Sequence, residues 1–90
     1  MKIIVAKEAK TTIIADNVSS IEIYNEKKVC IFMNSQEEFV IEFCFKSNAE
    51  KCYKMLNEFF AVGNTGACHL DRETFDIEKQ SGFLGIHTIY

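Results

Sequence analysis

The sequence predicts an α+β fold, in which an antiparallel sheet of about five to seven short strands carries one amphipathic helix on one face. Two observations predict it: three segments have apolar residues at alternate positions, and one segment has them at helical spacing. A period of two is typical of strands that bury one face, because successive side chains point to opposite sides. A stripe that recurs every three or four residues is typical of a helix that packs on such a sheet.

The central strands are the best-defined part of the pattern. The alternating segments are Val18–Tyr24, Lys28–Met33 and Glu38–Lys46, and they are separated by the turn-forming runs Asn25–Lys27 and Asn34–Gln36. Consecutive strands are therefore predicted to pair as antiparallel hairpins. Odd-numbered positions are the more apolar and are assigned to the core: Ile21, Ile23, Val29, Ile31, Met33, Phe39, Ile41, Phe43 and Phe45.

A helix is predicted over Asn48–Val62, because the apolar period changes at Ser47. Ser47 and Glu50 fit a capping box, in which each side chain accepts a hydrogen bond from the backbone N–H of the other residue. Gly63 fits the left-handed position that ends many helices. The apolar stripe should cover the odd-numbered face of the sheet: Ala49, Cys52, Tyr53, Leu56, Phe59 and Phe60.

The two ends of the chain supply the remaining strands. Lys2–Ala6 and Thr11–Ala15 are predicted to form the first hairpin. Residues 1–63 form the sheet-plus-helix core of a single domain, and residues 64–90 form a C-terminal extension. A strand around Phe75 and Ile77 and a last strand over Phe83–Tyr90 would make this extension a hairpin.

Two further features of the extension bear on that prediction. Gln80–Gly82 would provide its turn. The alternative is a short helix over Asp71–Gln80, which we consider less favoured because its apolar spacing is poor.

Composition limits the classes of function. The net charge is −3, and Lys27 and Lys28 are the only adjacent basic pair, so no basic surface for nucleic acid is expected. No segment approaches the ~20 apolar residues of a membrane span. The apolar start Met1–Ala6 is followed by Lys7 and is too short for a secretory signal. We therefore expect a cytoplasmic protein that keeps its four cysteines as free thiols.

The reactive side chains do not form a convincing catalytic or metal site. Cys68 and His69 could be a nucleophile and its base, but adjacent residues rarely face each other, and we interpret the pair as part of a loop. A zinc site from Cys52, Cys68, His69 and His87 would lack the closely spaced pair of ligands that such sites use. The sequence thus predicts no enzyme, no metal and no cofactor.

The even-numbered face of the sheet is more apolar than a fully wet surface requires. It carries Tyr24, Phe32, Val40 and Cys44 beside Glu22 and Glu42. Either the C-terminal segment covers this face, which the small size of the domain favours, or the face recognises a partner. The candidate partner-binding residues are Glu22, Tyr24, Phe32, Val40, Glu42, Phe83, Leu84, His87 and Tyr90.

The segments Val18–Phe43 and Ser47–Phe60 together resemble small uncharacterised β-sheet-plus-helix proteins of Gram-positive bacteria and their phages. Strands followed by one C-terminal helix are also similar to the pleckstrin-homology-like architecture. The first resemblance implies a small module of a phage or mobile element that inhibits or modulates a host protein, including host defence proteins. It transfers no functional residue to this chain.

The predicted function is therefore protein binding without catalysis. The alternative is a sensor of a small ligand or nucleotide, with a pocket between sheet and helix. Unprotected edge strands over Thr11–Ala15 and Leu84–Tyr90 also predict a two-fold homodimer.

Overall fold

A computed structural model of the chain describes residues 1–7, 9–63, 65–71 and 83–89. These residues contain seven strands, one α-helix and a short 3-10 helix at Ala15–Asn17. The strands and the α-helix run, in chain order, as β1 Lys2–Ala6, β2 Thr11–Ile14, β3 Val18–Tyr24, β4 Lys28–Met33, β5 Glu38–Phe43, α1 Lys46–Ala61, β6 Gly66–His69 and β7 Phe83–Ile89. The predicted α+β class is confirmed.

The strands are divided between two sheets, although the sequence predicted one. One sheet has the order β3-β4-β5-β7 and is antiparallel throughout. The other has the order β2-β1-β6, in which β1 pairs antiparallel with β2 and parallel with β6. The predicted hairpins β1–β2, β3–β4 and β4–β5 are all confirmed.

The turns between the central strands place three residues at positive φ. Asn25 and Glu26 have φ of 53° and 64° between β3 and β4, and Gln36 has φ of 73° between β4 and β5. Side chains at such angles crowd the backbone, and of these three residues only Asn25 is of a type that is enriched there. The turn-forming runs predicted from sequence therefore lie where the chain reverses.

The core lies between the odd-numbered face of the four-stranded sheet and α1. Ile31 and Ile41 are completely buried on the sheet, and Cys52 and Leu56 are completely buried on the helix. The predicted inner face is thus confirmed for the centre of the sheet. At its margin Ile23 is 37% exposed.

The start of α1 differs from the prediction. β5 ends at Phe43, and Phe45 is the extended N-cap residue rather than an inward-facing strand residue; it is 55% exposed. The backbone N–H groups of Asn48 and Ala49 both donate to the Phe45 carbonyl, at 3.1 and 3.3 Å. Because the first turn closes on Phe45, Ser47 already lies inside the helix, and the predicted capping box is wrong: no side chain caps this end.

The end of α1 agrees with the prediction and has an additional partner. Gly63 has φ of +70° after the C-cap Val62, as expected for a left-handed helix end. The ammonium of the buried Lys2 donates to the Phe59 carbonyl and lies 5.2 Å from the centre of the Phe59 ring. A cation at a helix C-terminus is stabilised by the helix dipole, so β1 and α1 are held together here.

The C-terminal extension contributes one strand to each sheet. β7 confirms the last predicted strand, whereas β6 was not predicted: Cys68 and His69 lie in a strand and not in a loop. β6 is short and irregular in sequence, and it forms because β1 offers it a parallel partner. The predicted strand around Phe75 and Ile77, its turn and the alternative helix after Asp71 lie outside the described residues.

Candidate functional site

The outward face of the four-stranded sheet brings most of the predicted partner-binding residues together. The strand register aligns these positions in three rows, which run from β3 to β7. The rows are Ser20, Phe32, Glu38 and Ile89; Glu22, Cys30, Val40 and His87; and Tyr24, Lys28, Glu42 and Gly85. We call the side chains Glu22, Tyr24, Lys28, Phe32, Glu38, Glu42 and His87 the outer-face patch.

Charged groups in the outer-face patch are arranged around Glu42. Its carboxylate lies 3.7 Å from the Lys28 ammonium and 3.7 Å from the His87 imidazole Nε2. All three side chains are partly exposed. Pairs of this kind are weak in water, so these groups remain available to a partner of complementary charge.

Beneath these side chains the patch has an apolar centre. Cys30 and Val40 point to the outer face but are only 3% and 4% exposed. Burial raises the pKa of the Cys30 thiol to about 11, helped by its hydrogen bond to Glu38 and by the negative charge there. Val40, a predicted contact residue, therefore offers little surface of its own.

The remaining predicted residues are placed less uniformly. Leu84 is an extra residue in β7 where the register with β5 shifts, and it is 57% exposed. Phe83 pairs with Phe43 in the backbone ladder, but its side chain and Tyr90 lie outside the described part of the chain. The expectation that the C-terminal segment covers the outer face does not hold for β7, which extends the sheet beside β5 instead.

Sequence reasoning missed two residues of this face, Lys28 and Glu38, and it missed the burial of a third, Cys30. Lys28 and Glu38 are even-numbered, so the same alternation that selected Glu42 could have selected them. Cys30 was assigned to the outer face by register, but nothing in the sequence indicated that it is buried there. Its burial depends on side chains of the adjacent strands, and the sequence alone does not show which side chains these are.

The cysteines are free thiols, and three of them are buried. Burial raises the pKa of Cys68 to about 11. The pKa of Cys52 is also raised, by burial first and by the nearby Cys68 thiol second. A thiol that stays protonated at neutral pH is a poor nucleophile and metal ligand. Cys68 is buried whereas its neighbour His69 is exposed, as expected for adjacent strand residues on opposite faces.

No three histidine, cysteine, aspartate or glutamate side chains are grouped as a metal site within residues 1–7, 9–63, 65–71 and 83–89. Over the same residues, no helix is long and apolar enough to cross a membrane.

The interface between α1 and the four-stranded sheet bears on the alternative of a ligand sensor. Ala49, Cys52 and Leu56 on the helix have no exposed surface, and neither do Ile31 and Ile41 on the sheet. A ligand between sheet and helix would have to displace these side chains. Their packing thus leaves no accessible side-chain surface for such a ligand to contact.

Comparison with protein-family models, with curated proteins and with solved structures finds no match to this chain. The functional argument therefore rests on the residues and their geometry.

Proposed function

We propose that this protein is a non-enzymatic protein-binding module and that the outer-face patch is its recognition surface. The observation that carries the proposal is the composition of one continuous face built from four strands. It combines the exposed aromatic Tyr24 and the partly buried Phe32 with the acidic residues Glu22, Glu38 and Glu42. Aromatic side chains are enriched in protein interfaces, and partly exposed charges set the choice of partner.

The shape of the face supports the same proposal. Sheet faces built from neighbouring strands hold their side chains at fixed spacings, so a partner meets them without reordering the backbone. Tyr24 is 59% exposed, and it lies in the same row as Lys28 and Glu42. An aromatic ring beside weakly paired charges is a suitable centre for a contact of moderate size.

We extend the proposal to a biological setting on the strength of the sequence resemblance. The module would act in the cytoplasm of a bacterial host as a phage or mobile-element protein that inhibits or modulates a host protein, including a defence protein. Its four free thiols suit a reducing compartment. A homodimer formed through β7, an edge strand of the four-stranded sheet, remains part of the proposal, and sedimentation of the purified protein tests it.

Affinity capture from lysate of a Gram-positive host tests the recognition surface. The wild-type protein should retain a specific host protein, and Tyr24→Ala should reduce its recovery at least about tenfold, as expected for an interface anchor. Lys54→Ala is the matched control, because Lys54 is exposed on α1. Circular dichroism melting should show that both variants stay folded.

Equal retention of a partner by the wild type and by patch variants would contradict the proposal. A partner retained equally by wild type, Tyr24→Ala and Glu42→Lys would show that the outer-face patch is not the recognition surface. For the biological setting, expression of the protein in a host with an active defence system should raise phage plating efficiency. An unchanged efficiency across the tested defence systems would remove the inhibitor role for those systems.

A further inference from the structure

A groove of about 570 Å³ lies between β2 and the turn that joins β4 to β5. All four residues of β2 line one side, Thr11–Ile14. Met33 and Phe39, which belong to the inner face of the four-stranded sheet, and Glu37 are among the described residues that line the other side. None of the described residues that line this groove belongs to the outer-face patch.

The backbone edge of β2 faces the groove. Successive strand side chains point to opposite faces, so four consecutive residues can line one groove only along an edge. The Val5 carbonyl accepts a hydrogen bond from the Leu70 N–H at 2.8 Å, so the backbone groups of Val5 point away from β2. Thr12 is opposite Val5. Its N–H and C=O therefore point away from β1, as does the N–H of Ile14.

These groups are available for pairing. Among the described residues, β2 is hydrogen-bonded to β1 and to no other strand. Unpaired edge groups of this kind are a template for an added strand. The groove thus offers main-chain donors and acceptors beside apolar surface.

The opposite wall is held in place by its own hydrogen bonds. The Met33 N–H donates to the Glu37 carbonyl at 2.9 Å, and the Asn34 N–H donates to the Asn17 carbonyl at 2.8 Å. Because these hydrogen bonds already fix the wall, little conformational entropy is lost there when a ligand binds.

We propose that this groove binds an extended segment of a partner protein, which adds to β2 as a further strand and places a lysine or arginine beside Glu37. Main-chain hydrogen bonds to an edge give such peptides affinity, and alternate side chains give them specificity. Apolar side chains of the segment would contact Met33 and Phe39. Among the described residues of the lining, Glu37 is the one that is ionisable, so its charge would select a basic side chain.

The probe for this site is a fluorescein-labelled octapeptide of alternating valine and lysine, compared with one of alternating valine and glutamate. Fluorescence anisotropy should show saturable binding of the lysine peptide to wild-type protein. Glu37→Lys should weaken that binding about tenfold and strengthen binding of the glutamate peptide. Tyr24→Ala should leave the affinity for either peptide unchanged, which separates this site from the proposed recognition surface.

The main-chain contribution is tested at Thr12. Thr12→Pro removes a donor that faces the groove, and proline is tolerated where a strand N–H faces outward. It should weaken binding of both peptides about fivefold, the effect of one lost hydrogen bond, whereas Thr12→Ala should not. If Thr12→Pro fails to fold, amide chemical-shift changes in the wild-type protein decide instead, and they should concentrate at Thr12, Ile14, Met33 and Glu37.

Three outcomes would overturn the proposal. The first is no saturable binding of the lysine peptide up to millimolar concentration. The second is binding that folded Glu37→Lys and Thr12→Pro leave intact. The third is a set of shift changes that falls on the outer-face patch and spares β2.

Discussion

The two faces of the four-stranded sheet are built by the same strands and differ in what covers them. On the inner face Val29, Ile31 and Ile41 have no exposed surface, because α1 packs across them. On the outer face Tyr24 is 59% exposed, and Lys28 lies opposite it on β4. The alternation of side chains supplies two surfaces, and the helix decides which one becomes core.

The outer face is nevertheless not a uniformly wet surface. Cys30 and Val40 are as well buried as many residues of the core, and they lie in the same row as the exposed Glu22 and His87. Because Cys30 and Val40 are already buried in the free protein, a partner of this face would contact the exposed side chains around them. Stability should therefore depend mainly on the inner face, and binding on the outer one.

The largest expected effect on stability is at Leu56. Leu56→Ala should lower the free energy of unfolding by about 2–5 kcal/mol, because it leaves a cavity between α1 and the sheet. Urea denaturation measures the change. The exposed Lys54→Ala, on the opposite side of the helix from Leu56, should change it by less than about 0.5 kcal/mol. Equal losses for the two variants would contradict the packing of α1 on the inner face.

Cys68 makes a further contribution to the core that depends on pH. Its pKa is raised from 9.0 to about 11 by burial, so the folded state favours the protonated thiol. The associated stabilisation is complete below about pH 9 and is lost as pH rises towards 11. Two pKa units correspond to about 2–3 kcal/mol.

Denaturation at a series of pH values measures this dependence. The free energy of unfolding should fall between pH 9 and 11, and Cys68→Ala should fall less steeply over the same range. Other groups titrate there too, so the difference between the two proteins is the quantity to compare. Identical slopes would mean that the Cys68 thiol is not protected by the fold.

The difference between the faces also shows what the sequence could predict. The period of two placed β3, β4 and β5 and chose the inner face, because that signal is local and repeats. β6 carried no such signal: Gly66 and Ala67 precede Cys68, and only pairing with β1 makes the segment a strand. A pattern of four residues does not show with which distant strand the segment pairs.

The outer-face patch and the groove also differ in whether a local sequence signal could predict them. The outer-face patch was largely predictable because alternation along each strand selects one face. The groove was not, because it lies between β2 and the turn before β5, which are far apart in sequence. Met33 and Phe39 were correctly assigned to the inner face, yet nothing local indicated that they also border an open edge.

On the outer face, the expected effect of the charged pair is small. Lys28 and Glu42 are about one-third exposed and 3.7 Å apart, so a double-mutant cycle with Lys28→Met and Glu42→Gln should give a coupling of about 0.2–1 kcal/mol. The coupling should fall as salt is added. A coupling above about 2 kcal/mol would indicate that this pair is buried and that the outer face contributes to the core.

The smallest effect is expected at Ser47, and it distinguishes two starts for α1. If Ser47 were the N-cap, as the sequence suggested, Ser47→Ala would cost about 0.5–2 kcal/mol. In the structure Ser47 is the second helical residue, it is exposed, and the first turn closes on Phe45. Alanine is the better helix former, so Ser47→Ala should be neutral or stabilising by up to about 0.5 kcal/mol. Urea denaturation, run in parallel with Leu56→Ala, shows whether the free energy of unfolding rises or falls. A loss above about 0.5 kcal/mol would indicate that Ser47 is the N-cap residue after all.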